Sequence, residues 1–308
     1  FRIIEFPRYE AFAQAFPNTV PFSEAIGFIA RVRPGDPKDI DYPYYVTAHE
    51  AAHQWWAHQV VGGDVQGSSM LIESLAQYSA LMVMKQKFGP AKMRRFLGYE
   101  LNRYLGGRAF EQKKELPLSR VENQAYIHYA KGSLVFYALA DAIGQDKLDT
   151  AIRGFRDAHA FKGPPYPSSE ELVARIREVT PPELRGFVDD LFERIVVWDN
   201  RAVSASARPL PGGRWEVTVK VVAKKRIADE LGKESDAPLD DIVDIGAIDA
   251  DGNALYLERK RVTAEESSHT FVVDKRPAKA GIDPLNKLID RKPGDNSIAV
   301  SDAAATAP

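Results

Sequence analysis

The chain has 308 residues, 44% of them apolar and 27% charged, with 41 basic and 43 acidic side chains. This is a folded-protein composition long enough for two domains, and its near-neutral charge excludes bulk attraction to nucleic acid or to an anionic membrane. There is no cysteine, which removes disulfides and cysteine ligands, and no apolar run of about 18 residues that would span a bilayer as a helix.

The chain opens on "FRIIEFPRY", which reads as a strand already under way. The expectation is a piece of something longer, whose missing part carries membrane segments or a signal peptide. Residues 1–6 and "AIGFIARV" at 25–32 are rich in β-formers and predict strands. "RPGDPKDIDYPYY" at 33–45 predicts a loop, and Tyr45–Val60, free of Pro and Gly, a helix. "VGGDVQG" breaks that helix. Ser68 or Ser69 would cap the next one, which Gly89 and Pro90 end. Further helices are expected over 91–104, 121–143, 147–159, 169–178 and 182–194. After Asn200 the pattern changes to β-rich runs such as "GRWEVTVKVVAKK" and "DIVDIGAID", with "DADGNA" as a hairpin turn. The fold class is therefore α+β. A mostly helical domain with a few N-terminal strands occupies 1–200, and a small antiparallel β-sandwich occupies 203–304. "ADELGKESDAPLDD" is expected to be a mobile charged loop, and the end from Ser301 a disordered tail.

Within the first long helix, "YVTAHEAAHQWWAHQ" places His49 and His53 four residues apart, hence on one face. Glu50 is one step round. Two imidazoles aimed at one ion, with a carboxylate beside it to take a proton from water, is what a zinc hydrolase needs. The bland alternative is a pair of half-buried histidines in a core helix. A third ligand is required. Trp56 and Gln59 stand where H-E-x-x-H-x-x-G-x-x-H needs glycine and histidine, and His58 would point about 180° from His49 on a continuous helix. Glu73, a lone carboxylate in the apolar segment "MLIESLAQYSAL", is costly there unless paired or bound to metal. A surface-facing glutamate is the alternative.

"HEAAHQWW" followed by "ESLAQYSA" resembles the M1-type zinc aminopeptidases, gluzincins whose third ligand is a glutamate on the next helix. The closest likeness is to a bacterial branch that accompanies transporter-like membrane proteins. The resemblance implies a thermolysin-like catalytic fold, a zinc cofactor, a peptide substrate, and a soluble domain of a bacterial inner-membrane protein. It also implies metal ligands His49, His53 and Glu73, with Glu50 as general base. Ala76 and Tyr78 fit the pattern after the ligand. Nineteen residues separate His53 from Glu73 instead of the family's eighteen, and Ile72 replaces its asparagine. "YAKG" matches the family's Y-E-K-G, with Ala130 for the glutamate, so the resemblance gives Tyr129 the role of steadying the oxyanion. Tyr126 is its rival. "PFSEAIGFI" matches the G-x-M-E-N segment through Glu24 and Gly27 alone, with Pro21, Ser23 and Ala25 departing. Glu24 would then grip the substrate's free amine. Trp55 and Trp56 are expected in the core.

Three functions stay open at this point: an aminopeptidase, a zinc endopeptidase without amine recognition, and a weakly active or inactive peptide- or partner-binding module. A purely structural zinc site fits poorly, since two histidines and one glutamate leave a coordination position free.

Overall fold

In the computed structural model, residues 1–36 and 38–303 are described. The chain divides into two compact units, Phe1–Ile195 and Val196 onward.

The first unit begins with a two-stranded parallel pair, β1 (Arg2–Phe6) and β2 (Thr19–Ser23). The expected strand at 25–32 is instead a π-helical turn, Ala25–Ile29. The strand lies earlier because Val20 and Phe22 alternate into a small core with Ala15 and Ile26, whereas Phe28 and Ile29 stay exposed. Among the described residues seven α-helices follow: α1 (Tyr42–Ala52), α2 (Leu75–Phe88), α3 (Met93–Phe110), α4 (Gly132–Ile143), α5 (Gln145–His159), α6 (Ser169–Val179) and α7 (Arg185–Phe192).

Helix α1 starts earlier than its sequence predicts. Pro43 sits in the first turn, where an N–H would have no helical partner. It also ends earlier. After Ala52 the hydrogen bonds tighten (Gln54 N–H to Ala51, Trp55 N–H to Ala52), and Ala57 adopts a φ of 115°. The expected helix to Val60 is therefore absent, and His58 is not on it. Residues 70–74 and 126–131 form π-helical turns that lead into α2 and α4. Ser69 starts the first of these without a side-chain cap. The helix expected from 121 accordingly begins at Tyr126. Helix α3 runs through Gly106 and Gly107, past the predicted end at 104. Gly107 is needed there: a Cβ would lie 2.3 Å from that of Tyr126.

Helix α4 is buried almost throughout, as befits an apolar central helix. Helix α2 packs against α1 and α4, and α5 against α6. Ser168 and Glu171 close a capping box on α6, the "SSEE" signal being legible in the sequence. No helix is long and apolar enough to cross a membrane among the described residues.

The second unit holds β3 (Ile195–Trp198), β4 (Arg201–Pro209), β5 (Trp215–Val222), β6 (Lys225–Ala228), β7 (Glu234–Ala237), β8 (Asp241–Ile248), β9 (Ala254–Val262), β10 (Glu266–Val273), β11 (Lys279–Ile282), β12 (Ser297–Ala299) and β13 (Ser301–Asp302). Two four-stranded sheets, in orders β10-β5-β4-β13 and β12-β11-β8-β9, pack as a sandwich, with a three-stranded sheet β3-β6-β7 beside them. Val217, Val219 and Val221 of β5 alternate inward, the period-two pattern of a half-buried strand, whereas β8 is buried along nearly its whole length. The Tyr256 and Phe271 rings stack at 4.2 Å. The "ADELGKESDAPLDD" segment is not simply a loop. Asp229 and Gly232 turn a hairpin in which β7 pairs with β6. Ser301–Asp302 pair with β4, so the expected disordered tail does not start there. Residues 304–308 lie outside the described residues.

Candidate metal centre

Helix α1 carries His49 and Glu50 in its last turn, and His53 caps its C-terminus. All three are buried. One helical turn brings the imidazoles together, with their Nε2 atoms 3.0 Å apart. His53 Nδ1–H donates to the Trp56 carbonyl at 2.9 Å. A carbonyl can only accept, so Nε2 of His53 keeps its lone pair for a ligand. The early end of α1 makes this possible, since the Trp56 carbonyl turns back toward the ring instead of along a helix.

The π-helical turn 70–74 presents Glu73. Its Oε2 lies 3.3 Å from His49 Nε2 and 3.4 Å from His53 Nε2. This oxygen is buried and has no hydrogen-bond partner among the described residues. Burial pushes the Glu73 carboxyl up, but the two imidazoles outweigh it and hold the carboxylate well below the usual range. The three atoms form a cluster that can hold a metal ion. Ligands at about 2.0–2.1 Å from a tetrahedral zinc stand roughly 3.3–3.4 Å apart. The two separations to Glu73 fit, the 3.0 Å between the imidazoles is somewhat shorter, and an oxygen and two nitrogens are donors zinc accepts.

A cavity of ≈ 210 Å³ opens beside the cluster, lined by His49, Glu50 and Tyr129 together with Phe12, Tyr99 and Arg103 among others. Burial raises the Glu50 carboxyl above its ordinary value, against the pull of both histidines and the Ala15 backbone N–H. Tyr129 lies in the π-helical turn 126–131, its ring 5.5 Å from that of His49. Burial and the neighbouring Glu73 carboxylate push its phenol up and keep it protonated. Tyr126 goes elsewhere: its ring stacks on Tyr104 at 6.1 Å. Glu24 does not line the cavity, and its carboxylate accepts the Arg8 N–H at 3.2 Å.

Trp56 is core, its indole N–H reaching Ser79 Oγ at 3.3 Å, whereas Trp55, expected in the core, is 44% exposed. Both, with Tyr78, line a separate hollow of ≈ 590 Å³ that contains none of the three ligand residues.

Sequence reasoning missed a polar network under the cavity. Glu100 is fully buried. It accepts from Tyr45 Oη and Gln77 Nε2, each at 2.8 Å, and from Arg103 Nη1 at 3.1 Å. The signal was available: Phe96, Glu100 and Tyr104 recur every fourth residue on α3, placing a carboxylate in an otherwise apolar stripe.

Two imidazoles from one helix and a carboxylate from the next, beside a cavity holding a buried carboxyl and a phenol, define the class of a gluzincin-type metallopeptidase domain. The family profile described as Peptidase family M1 domain matches residues 37–190, half of the chain, and the chain belongs to that family. Among solved structures it is similar to aminopeptidase A of Legionella pneumophila in complex with aspartic acid. The two are 17% identical, with 94% of this chain and 31% of that one covered and a TM-score of 0.53, a likeness of fold. It is also similar to an M1 zinc metallopeptidase of Deinococcus radiodurans, 15% identical over 62% of this chain and 38% of that one, with a TM-score of 0.45. The chain thus spans about a third of the length of these structures. No curated protein matches it.

Proposed function

We propose that this chain is the catalytic part of a zinc-dependent peptidase. The observation that carries the reading is the triangle of His49 Nε2, His53 Nε2 and Glu73 Oε2, with edges of 3.0, 3.3 and 3.4 Å and an orphaned carboxylate oxygen. Zinc held there supplies a Lewis acid that polarises the scissile carbonyl and acidifies water. Glu50, its proton affinity raised by burial, takes the proton from the attacking water and hands it to the leaving amine. Tyr129 keeps its phenolic proton and donates it as a hydrogen bond to the developing oxyanion. The substrate is a peptide. In the aminopeptidase reading Glu24 receives its free amino group.

A specific observation favours the second reading, an endopeptidase: Glu24 accepts a backbone N–H and stays outside the cavity lining. Peptides with free and acetylated amino ends separate the two, with metal content measured in parallel. An aminopeptidase cleaves the free series alone and loses that preference in Glu24→Gln. Cleavage of both series alike favours the endopeptidase. Zinc uptake without cleavage of either sinks the enzymatic account and leaves a binding module. Membership of a bacterial inner-membrane, transporter-like protein rests on the motif resemblance alone, and fractionation of the full-length gene product tests it.

A further inference from the structure

The cavity beside the metal cluster has a cationic group that the chemistry above does not use. Arg103 lines it together with His49, Glu50 and Tyr129. Its guanidinium carbon stands 5.6 Å from the Tyr99 ring and 5.9 Å from the Tyr129 ring. Two aromatic faces thus orient the guanidinium. Behind it, Glu100 Oε2 takes one N–H, and Glu100 Oε1 is occupied by Tyr45 and Gln77. A guanidinium has five N–H groups. Among the described residues, that single bond to Glu100 is the only one Arg103 makes, while its side chain is 39% exposed. A clamped base with free donors facing an open cavity is the arrangement of a carboxylate receptor.

We propose that Arg103 determines specificity at this site by binding a carboxylate carried by the substrate residue next to the bond that is cut. The inference rests on the peptidase reading. Proximity supports it: Arg103 and the His49 ring both neighbour the Tyr129 ring, at 5.9 Å and 5.5 Å respectively, and all three line one cavity. One residue advances the backbone by about 3.8 Å, and the length of an acidic side chain or terminus adds to that step, which carries a carboxylate next to the scissile carbonyl toward the guanidinium. Charge supports it too. Glu50 lines the same cavity and repels an anion, and Arg103 offsets that repulsion. Two sources present this chemistry, an acidic side chain and the free terminus of a dipeptide.

The test compares wild type, Arg103→Gln and Arg103→Lys on matched zinc-loaded protein. The substrates are Glu-Ala-Ala amide against Gln-Ala-Ala amide, Ala-Glu-Ala amide against Ala-Gln-Ala amide, and Ala-Ala against its amide. The same peptides are titrated by calorimetry into the Glu50→Gln forms. In at least one pair, the carboxylate-bearing member is expected to be favoured about tenfold or more, chiefly through KM. Arg103→Gln brings the ratio close to one, and Arg103→Lys restores part of it. The responding pair identifies the source. A merely structural role for Arg103 would move both members of a pair together and leave the ratio alone. Wild type without a preference, or a preference that survives Arg103→Gln, overturns the proposal. Cleavage of every peptide without preference leaves the peptidase reading standing and this one fallen. Arg103-dependent binding without any turnover does the reverse.

Discussion

Ser74 Oγ donates a hydrogen bond of 2.5 Å to the carbonyl of His128. That bond ties the π-helical turn carrying Glu73 to the one carrying Tyr129. Gly132 makes the approach possible, because a Cβ there would sit 2.1 Å from Ser74 Oγ and 2.5 Å from Ser74 Cβ. Both turns are wider than an α-turn, and such bulges recur at functional sites because they re-aim side chains. Gly132→Ala is expected to push the turns apart, destabilising the fold by about 1–3 kcal/mol and weakening zinc binding. Urea denaturation and competitive metal titration measure both. Normal metal affinity in a folded Gly132→Ala protein would show that the two turns are not coupled.

Zinc should stabilise the chain through its ligands. At a free concentration about 100 times its dissociation constant, binding adds roughly 2.7 kcal/mol to unfolding. Thermal melts with and without zinc are expected to differ in the wild type and to coincide in Glu73→Gln. A zinc-induced rise that survives loss of Glu73 would place the ion elsewhere.

Glu50→Gln removes the proton acceptor and keeps both imidazoles. Peptide turnover is expected to fall by about two to four orders of magnitude, with zinc content near stoichiometric by metal analysis. Tyr129→Phe should lower kcat by about two to three orders, while Tyr126→Phe, on the far stack with Tyr104, stays close to wild type. Equal losses for the two tyrosine variants would remove the oxyanion role from Tyr129.

The β unit carries a pH dependence of its own. Burial pushes the Asp283 carboxyl from an ordinary 3.8 up to about 7, despite N–H donors from Lys287 and Leu288. The folded form therefore favours the protonated acid. Its contribution is complete below the ordinary carboxylate range and is lost as pH rises through about 7. Unfolding free energy should drop by up to about 1.4 kcal/mol per pH unit for this group across that window. Denaturation curves of the whole chain between pH 4 and 8 are expected to show the slope, and Asp283→Asn to reduce it, the Asp290 carboxyl, likewise pushed up to about 7 by burial, supplying the remainder. An unchanged slope in that variant would assign the effect to other groups.

Much of the site was legible because its chemistry is local. His49, Glu50 and His53 share one turn, and Glu73 stands out as a charge among apolar neighbours. Arg103 and Glu100 were not legible as neighbours of the cavity, because only packing α3 across α1 and α2 gives their spacing a meaning. The boundaries that misled were those where tertiary contacts override propensity. Phe28 and Ile29 have β-formers' side chains but no sheet partner, and Gly106–Gly107 reads as a helix end although a tyrosine packed against it keeps α3 going. Trp55 and Trp56 differ in burial because the chain turns out of the helix just before them, which no periodicity rule anticipates.

Tyr45 and His49 are one helical turn apart on α1, and the phenol of Tyr45 is moored to the same carboxylate that moors Arg103. A slip of α1 by one residue, about 1.5 Å along its axis, would drag the histidine pair while leaving the guanidinium behind. Glu100 therefore acts as the fixed zero of a molecular ruler. On the proposed chemistry, that anchorage helps set the gap between where a peptide would be cut and where its neighbouring acid would be felt, and loosening it should blur cutting position and selectivity in step.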